Sequence, residues 1–220
     1  MSSPVLIWGA TGQARVLADF LPDMGYRIVA FVDRNPEVAS PLPGVPLLTG
    51  EPGFRQWISQ HPPPGALVAV GGDRGGDRLA LQELLAAAGC KILTVVHPSA
   101  TVAGSAGIGA GSQILAGAVV GAAASLGAGV IVNTRASADH ECRLGDGVHL
   151  APASTLCGLV QVGRLTLIGA GAVVLPRIRI GAGVVVGAGS VVTRDLPDNV
   201  IAFGNPARIV RARATPGDTP

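Results

Sequence analysis

The chain has 220 residues, a formal net charge of +2, and 48% hydrophobic against 14% charged residues. That length fits one large or two small domains, and a small charge with arginines scattered along the chain suggests no nucleic-acid partner. Cys90, Cys142 and Cys157 are odd in number and far apart. Neither a disulfide framework nor a metal motif is therefore expected, and a reducing cytoplasm is the expected location.

Pro4 to Trp8 reads as a buried strand, Gly9-Ala10-Thr11-Gly12-Gln13 as a turn, Ala14 to Leu21 as a helix, and Arg27 to Val32 as a second strand ending at Asp33. No signal peptide is expected, since Val5 to Trp8 is too short and runs into the glycine turn. This βαβ pattern sets a glycine turn at a helix N-terminus, where backbone N–H groups can hold phosphate, and an acidic residue where a ribose would lie. The spacing is G-x-x-G rather than the full dinucleotide fingerprint, so the residues alone leave a phosphate turn and a purely structural turn both open. Asn35 to Pro46 is proline-rich and reads as loop. Phe54 to Ser59 reads as a short helix, Ala66 to Val70 as a strand, Asp77 to Ala88 as an amphipathic helix, and Ile92 to Val96 as the last strand of an α/β domain.

From Val102 to Val192 the chain repeats in sixes. Val102, Ile108, Ile114, Val120, Leu126 and Val132 begin a series that continues to Val192, in which only Ala138 is not Leu, Ile or Val. Four residues after each comes a small or β-branched residue, and often a glycine next. A six-residue period fits neither an α-helix nor a flat strand. It fits a parallel β-helix, three hexads to a coil, with the aliphatic column stacked inside. The uncharged run Ile114 to Val132 is long enough for a membrane span. The same register passes through it into charged repeats, so no membrane insertion is expected. Domains are placed at 1–97, 98–211 and a disordered tail at 212–220.

The densest polar run in the repeats is Asn133 to Cys142, around the weak column position Ala138. His140 takes the third hexad position, facing outward at a corner, where it cannot serve as core. His149 closes the next hexad. A three-His zinc site needs one more ligand than these repeats offer, so no metal is expected. Cys142 falls on the inward small column and reads as packing. Neighbouring strand residues point to opposite faces, so either the corner turns Glu141 back to His140 or a residue of another chain serves instead.

At Gly9–Gln13, Gly25-Tyr26, Phe31-Val32-Asp33, His97-Pro98-Ser99-Ala100, Asn133-Thr134, Asp139-His140-Glu141-Cys142, Val148-His149-Leu150 and Gly204-Asn205-Pro206-Ala207 the sequence resembles a known family. It is similar to the hexapeptide-repeat acyltransferases of bacterial sugars, of the sialic-acid O-acetyltransferase and nucleotide-aminosugar N-acetyltransferase type. The resemblance implies a Rossmann-like α/β domain followed by an all-β left-handed parallel β-helix, a homotrimer, and acetyl-CoA as donor. It implies that His140 is the general base, polarised by Glu141, and that Asn133 lies near the acceptor amine. It places His149 and the Gly158 backbone at the thioester, and Ala170, Ala188, Pro206 and Arg208 along acetyl-CoA. Gly9, Thr11, Gly12, Gln13, Asp33, Arg34 and Gly71 would hold the sugar nucleotide. Gln13 stands where the family often has His, and Asp73 where it usually has Asn; both departures bear on the substrate rather than the chemistry.

The expected function is N-acetylation of a nucleotide-linked amino sugar. O-acetylation of sialic acid or a related sugar is the second reading, and a non-catalytic sugar-nucleotide-binding trimer the third. Residues eighteen apart stack on one edge of a three-sided coil. His140 and Gly158 therefore share one column, while Ala170 and Ala188 share another, and the site is expected to be divided between two chains.

Overall fold

A computed structural model describes residues 2–213. The described residues divide into two compact units: 2–71 with Asp77–Leu93, and Gly72–Gly76 with 94–213.

The first unit is a five-stranded parallel sheet in the order β3-β2-β1-β4-β5. Its elements are β1 (Ser3–Trp8), α1 (Gly12–Phe20), β2 (Tyr26–Asp33), β3 (Leu47–Thr49), α2 (Gly50–Ile58), β4 (Gly65–Val68), α3 (Gly75–Ala87) and β5 (Lys91–Ile92). Val5, Leu6 and Ile7 are fully buried, as an apolar run in a two-sided parallel strand should be. The rings of Trp8 and Phe54 meet edge to face at 5.6 Å, a contact worth about 1 kcal/mol beyond its buried area. The short strand β3 is not evident in the proline-rich sequence that leads to it.

The expected strand Ile92 to Val96 is two strands. The Leu93 N–H bonds to Ala66 O in the first unit, while the Val95 N–H bonds to Ser112 O in the second. Val95–Val96 pairs with Gln113–Ile114 and opens the β-helix. The boundary expected after residue 97 therefore falls between Leu93 and Thr94.

The β-helix has three parallel sheets of two-residue strands. Face one carries Gln113–Ile114, Ile131–Val132, His149–Leu150, Leu167–Ile168 and Val185–Val186. Face two carries Val119–Val120, Ser137–Ala138, Thr155–Leu156, Val173–Val174 and Val191–Val192. Face three carries Ser125–Leu126, Arg143–Leu144, Gln161–Val162 and Arg179–Ile180. Each strand pairs with the strand eighteen residues away, as in Ser137↔Thr155. The second residue of every strand points inward, and the column Ala138, Leu156, Val174 is fully buried. Burying one such aliphatic side chain contributes about 1.5–3 kcal/mol, so the stack is the main source of stability. Two inward hydroxyls bridge successive coils: Ser112 Oγ donates to Gly127 O and accepts from the Val130 N–H, each at 3.1 Å, and Thr166 Oγ1 donates to Gly181 O at 2.8 Å and accepts from the Val184 N–H at 3.1 Å.

The coil ends in an antiparallel hairpin, Val200–Gly204 with Ala207–Ala212, laid beside Val185–Val186 on face one. The tail expected from residue 212 is thus a strand at Ala212, and Arg213 is bonded through its N–H to Asn199 O at 2.8 Å. Residues 214–220 lie outside the described residues. No described helix is long and apolar enough to cross a membrane.

Candidate active site

In the first unit the expected ligand residues follow the carboxyl ends of parallel strands: Gly9, Thr11, Gly12 and Gln13 after β1, Asp33 and Arg34 at the end of β2, and Gly71 after β4. In such sheets this is the ligand-binding end. The two turn glycines have different reasons to be glycine. Gly9 has φ +112°, and a side chain there would run into Ala69 O at 2.7 Å, whereas a Cβ on Gly12 would meet nothing within 4 Å. Gly9 is therefore required by packing and Gly12 opens onto free space. Thr11 makes no side-chain cap to α1, and the first turn of α1 holds no acidic residue; a helix start of this kind can receive an anion. Asp33 is tied to the same turn: its Oδ2 accepts from the Ala10 N–H at 2.9 Å and its Oδ1 from the Asn35 N–H at 3.0 Å. Arg78, fully buried on α3, donates to Val70 O at 2.7 Å and fixes the chain just before Gly71. Burial lowers its pKa to about 10, which still leaves it charged at neutral pH.

In the second unit His140 and Glu141 form one cluster. The corner Asp139–Cys142 joins face two to face three. Glu141 takes φ +58°, as the same corner position does at Ala123, Arg135, Ala153 and Leu159. The left-handed residue turns the chain, and so brings the Glu141 carboxylate to 3.2 Å from His140 Nδ1. An Nδ1–H donated to Glu141 leaves the lone pair on Nε2. That atom lies over the α-carbon of Gly158, where a Cβ would collide with the imidazole. Gly158 is buried and is not left-handed, and the three atoms nearest to such a Cβ all belong to the ring. The two side chains are 52% and 57% exposed. An ion pair so open to water is worth about 0–1 kcal/mol, and its effect is to orient the ring.

The corner Asn133–Ala136, between faces one and two, carries a second cluster. Asn133 Oδ1 accepts from the Thr134 N–H at 2.8 Å, and its Nδ2 faces His149 Nε2 at 3.1 Å. His149 Nδ1 lies 3.1 Å from Gly72 O. A carbonyl only accepts, so Nδ1 carries the proton and Nε2 accepts from Asn133. His149 is buried in this arrangement. Ala170 and Ala188 are exposed on the same edge as Asn133, linked by bonds from Gly171 N to Pro152 O and from Gly189 N to Ala170 O. Phe203 of the terminal hairpin packs on Gly187, which brings the strand leading to Pro206 and Arg208 beside Ala188. His140 stands on the other edge of face two, with Gly158 and Pro176 in its column.

Cys142 is buried, and its Sγ donates to Cys157 O at 3.2 Å. Burial pushes the thiol up to about 11, so it stays protonated at neutral pH and is no nucleophile.

Two family models match. Residues 4–74 fit the PglD N-terminal domain, and residues 160–194 fit the bacterial transferase hexapeptide (six repeats). The chain is 39% identical to PerB of Caulobacter crescentus, solved with CoA and GDP-perosamine, with a TM-score of 0.87 over 94% of this chain and 97% of that one. The acetyltransferase domain of PglB from Neisseria gonorrhoeae, solved with acetyl coenzyme A, is 34% identical over 96% of this chain and all of that one, with a TM-score of 0.84. The chain belongs to the hexapeptide-repeat sugar acetyltransferases. WeeI of Acinetobacter baumannii is 26% identical with a TM-score of 0.83 over 94% and 99% of the two chains. A stretch of 44 residues is 59% identical to galactoside O-acetyltransferase of Lactococcus lactis, so the chain spans about a fifth of that relative.

Three parts of this acetyltransferase were not legible in its sequence. Asp33 holds the glycine turn, Arg78 holds the chain at Val70 just beyond β4, and the Gly72–Gly76 loop packs on the β-helix. The pair of double glycines in Gly71-Gly72-Asp73-Arg74-Gly75-Gly76 is the one signal that backbone approaches backbone there. A Cβ on Gly75 would strike Gly147 O.

Proposed function

We propose that this chain transfers the acetyl group of acetyl-CoA to the amine of a nucleotide-linked amino sugar. One observation carries the reading: His140 has its Nδ1 on Glu141 and its Nε2 directed over Gly158. The neutral amine attacks the thioester carbonyl, and Nε2 takes the nitrogen's proton as the C–N bond forms. The Gly158 N–H, which donates to no backbone carbonyl among the described residues, stabilises the tetrahedral oxyanion. The C–S bond then breaks and the proton passes to the departing thiolate. The solved relatives with CoA and GDP-perosamine, and with acetyl-CoA, support this donor and acceptor class.

We further propose a trimer with the site shared between chains. His140 and the Asn133–Ala188 column stand on opposite edges of face two, and Val119 on that face is 41% exposed. One extended ligand meets both columns where edges of neighbouring prisms lie side by side. Residence in the cytoplasm, where acetyl-CoA is made available, accords with this chemistry.

The test is acetyl-CoA turnover, read as free thiol, against UDP-, GDP- and TDP-linked amino sugars. At least one should yield an N-acetylated product by mass spectrometry. Acetylation confined to hydroxyls would favour the O-acetyltransferase reading, and binding without turnover would favour a non-catalytic trimer.

A further inference from the structure

The Gly72–Gly76 loop follows Gly71, three residues beyond β4, and is fastened to the β-helix at three places. The Gly72 carbonyl accepts from His149 Nδ1 at 3.1 Å. Gly75 lies on Gly147 O, at a distance only glycine allows. Between them, Arg213 Nη2 donates to Asp73 Oδ2 at 2.9 Å and to Asp73 O at 3.2 Å. Arg213 is itself held by the β-helix, since its Nη1 donates to Gly183 O at 3.1 Å and its own N–H to Asn199 O at 2.8 Å. A guanidinium suits this work, because its planar fork satisfies several acceptors in fixed directions.

These bonds form one directed series. Arg213 holds Asp73, the adjoining Gly72 carbonyl fixes the His149 tautomer, and His149 Nε2 fixes the amide of Asn133, whose Oδ1 is already taken by the Thr134 N–H. We propose that Arg213 is a positioning residue for the acceptor: it clamps the Gly72–Gly76 loop so that His149 presents Asn133 in a single orientation. The proposal rests on the reading of the chain as a sugar-nucleotide acetyltransferase. Arg213 touches no reacting atom, and its effect is carried by the loop.

Arg74 lies exposed in the middle of the loop, so tryptic cleavage after it reports loop opening without any substrate. R213A should be cut there about tenfold faster than wild type, the effect expected when about 1.4 kcal/mol of closing free energy is lost. R213K, which keeps the charge but not the fork, should fall between the two. In the same variants kcat/KM for the sugar nucleotide should drop about tenfold, while KM for acetyl-CoA moves by less than about twofold. Equal cleavage of R213A and wild type at Arg74 overturns the clamp. So does a fall in thermal stability that carries both substrates' parameters down together, which marks a merely structural arginine. If the wild-type enzyme acetylates no sugar nucleotide, the functional reading fails, and the cleavage comparison still decides the clamp.

Discussion

The imidazole of His140 lies over the α-carbon of Gly158, one coil further along the β-helix, so close that a Cβ there would strike the ring. This contact makes a glycine a reporter on the histidine. Gly158 is not in the left-handed region, so alanine there is compatible with the backbone, and the nearest atoms it would meet are those of the ring. Gly158→Ala should fold normally and lose at least about a hundredfold in kcat, comparable to the loss expected on removing His140. Circular dichroism and turnover on the same preparation check it; near-normal turnover would mean that the ring works from another position.

Asp33 holds the turn after β1, and we propose that this turn receives the sugar nucleotide, so replacing Asp33 should show in both stability and binding. Losing the bonds to the Ala10 and Asn35 N–H groups should cost about 1–3 kcal/mol of unfolding free energy. Because the same carboxylate shapes the turn after β1, Asp33→Ala should raise KM for the sugar nucleotide far more than KM for acetyl-CoA. Denaturant unfolding and the two Michaelis constants measure it, and equal effects on both substrates would mark the turn as structural only.

Cys142 gives a negative control beside the site. Its thiol, raised to about 11 by burial, loses its proton only as the pH rises through that value. At pH 8 the thiolate is then about a thousandth of the population. Iodoacetamide at pH 8 should leave Cys142 unmodified in the folded protein, and Cys142→Ser should keep turnover within about twofold of wild type. Peptide mass mapping after alkylation checks the first and steady-state kinetics the second.

The β-helix was legible in the sequence because its period and its inward column are one physical fact. Every sixth residue must be apolar to be stacked, and the strands fall on those residues without a slip. The Glu141 contact was less accessible. Alternation along a strand sets residues 140 and 141 on opposite faces, but they occupy a corner, where a left-handed residue reverses the rule. The split between Lys91–Ile92 and Val95–Val96 was hidden because both halves are apolar and only their partners differ, Gly65–Ala66 for one and Gln113–Ile114 for the other. Asp73 and Arg213 are far apart in the chain, and no local pattern announces such a pair.

Sharing of the site between chains is open to complementation. His140→Ala and Ala188→Trp should each be inactive, the second because a bulky ring fills the exposed edge that we propose receives acetyl-CoA. When the two are unfolded, mixed and refolded, some interfaces pair an intact His140 with an intact Ala188. Turnover should return in part, and folded mixed trimers without activity would place the whole site in one chain.

The most direct measurement is the turnover of His140→Ala, followed as free thiol from acetyl-CoA with the best sugar-nucleotide acceptor. The side chain is half exposed and supports no core packing, so the variant should fold as the wild type does and keep its affinity for the sugar nucleotide. Its kcat should fall by about 10²–10⁴, the usual contribution of a positioned general base. A folded His140→Ala that turns over within tenfold of wild type would contradict the account.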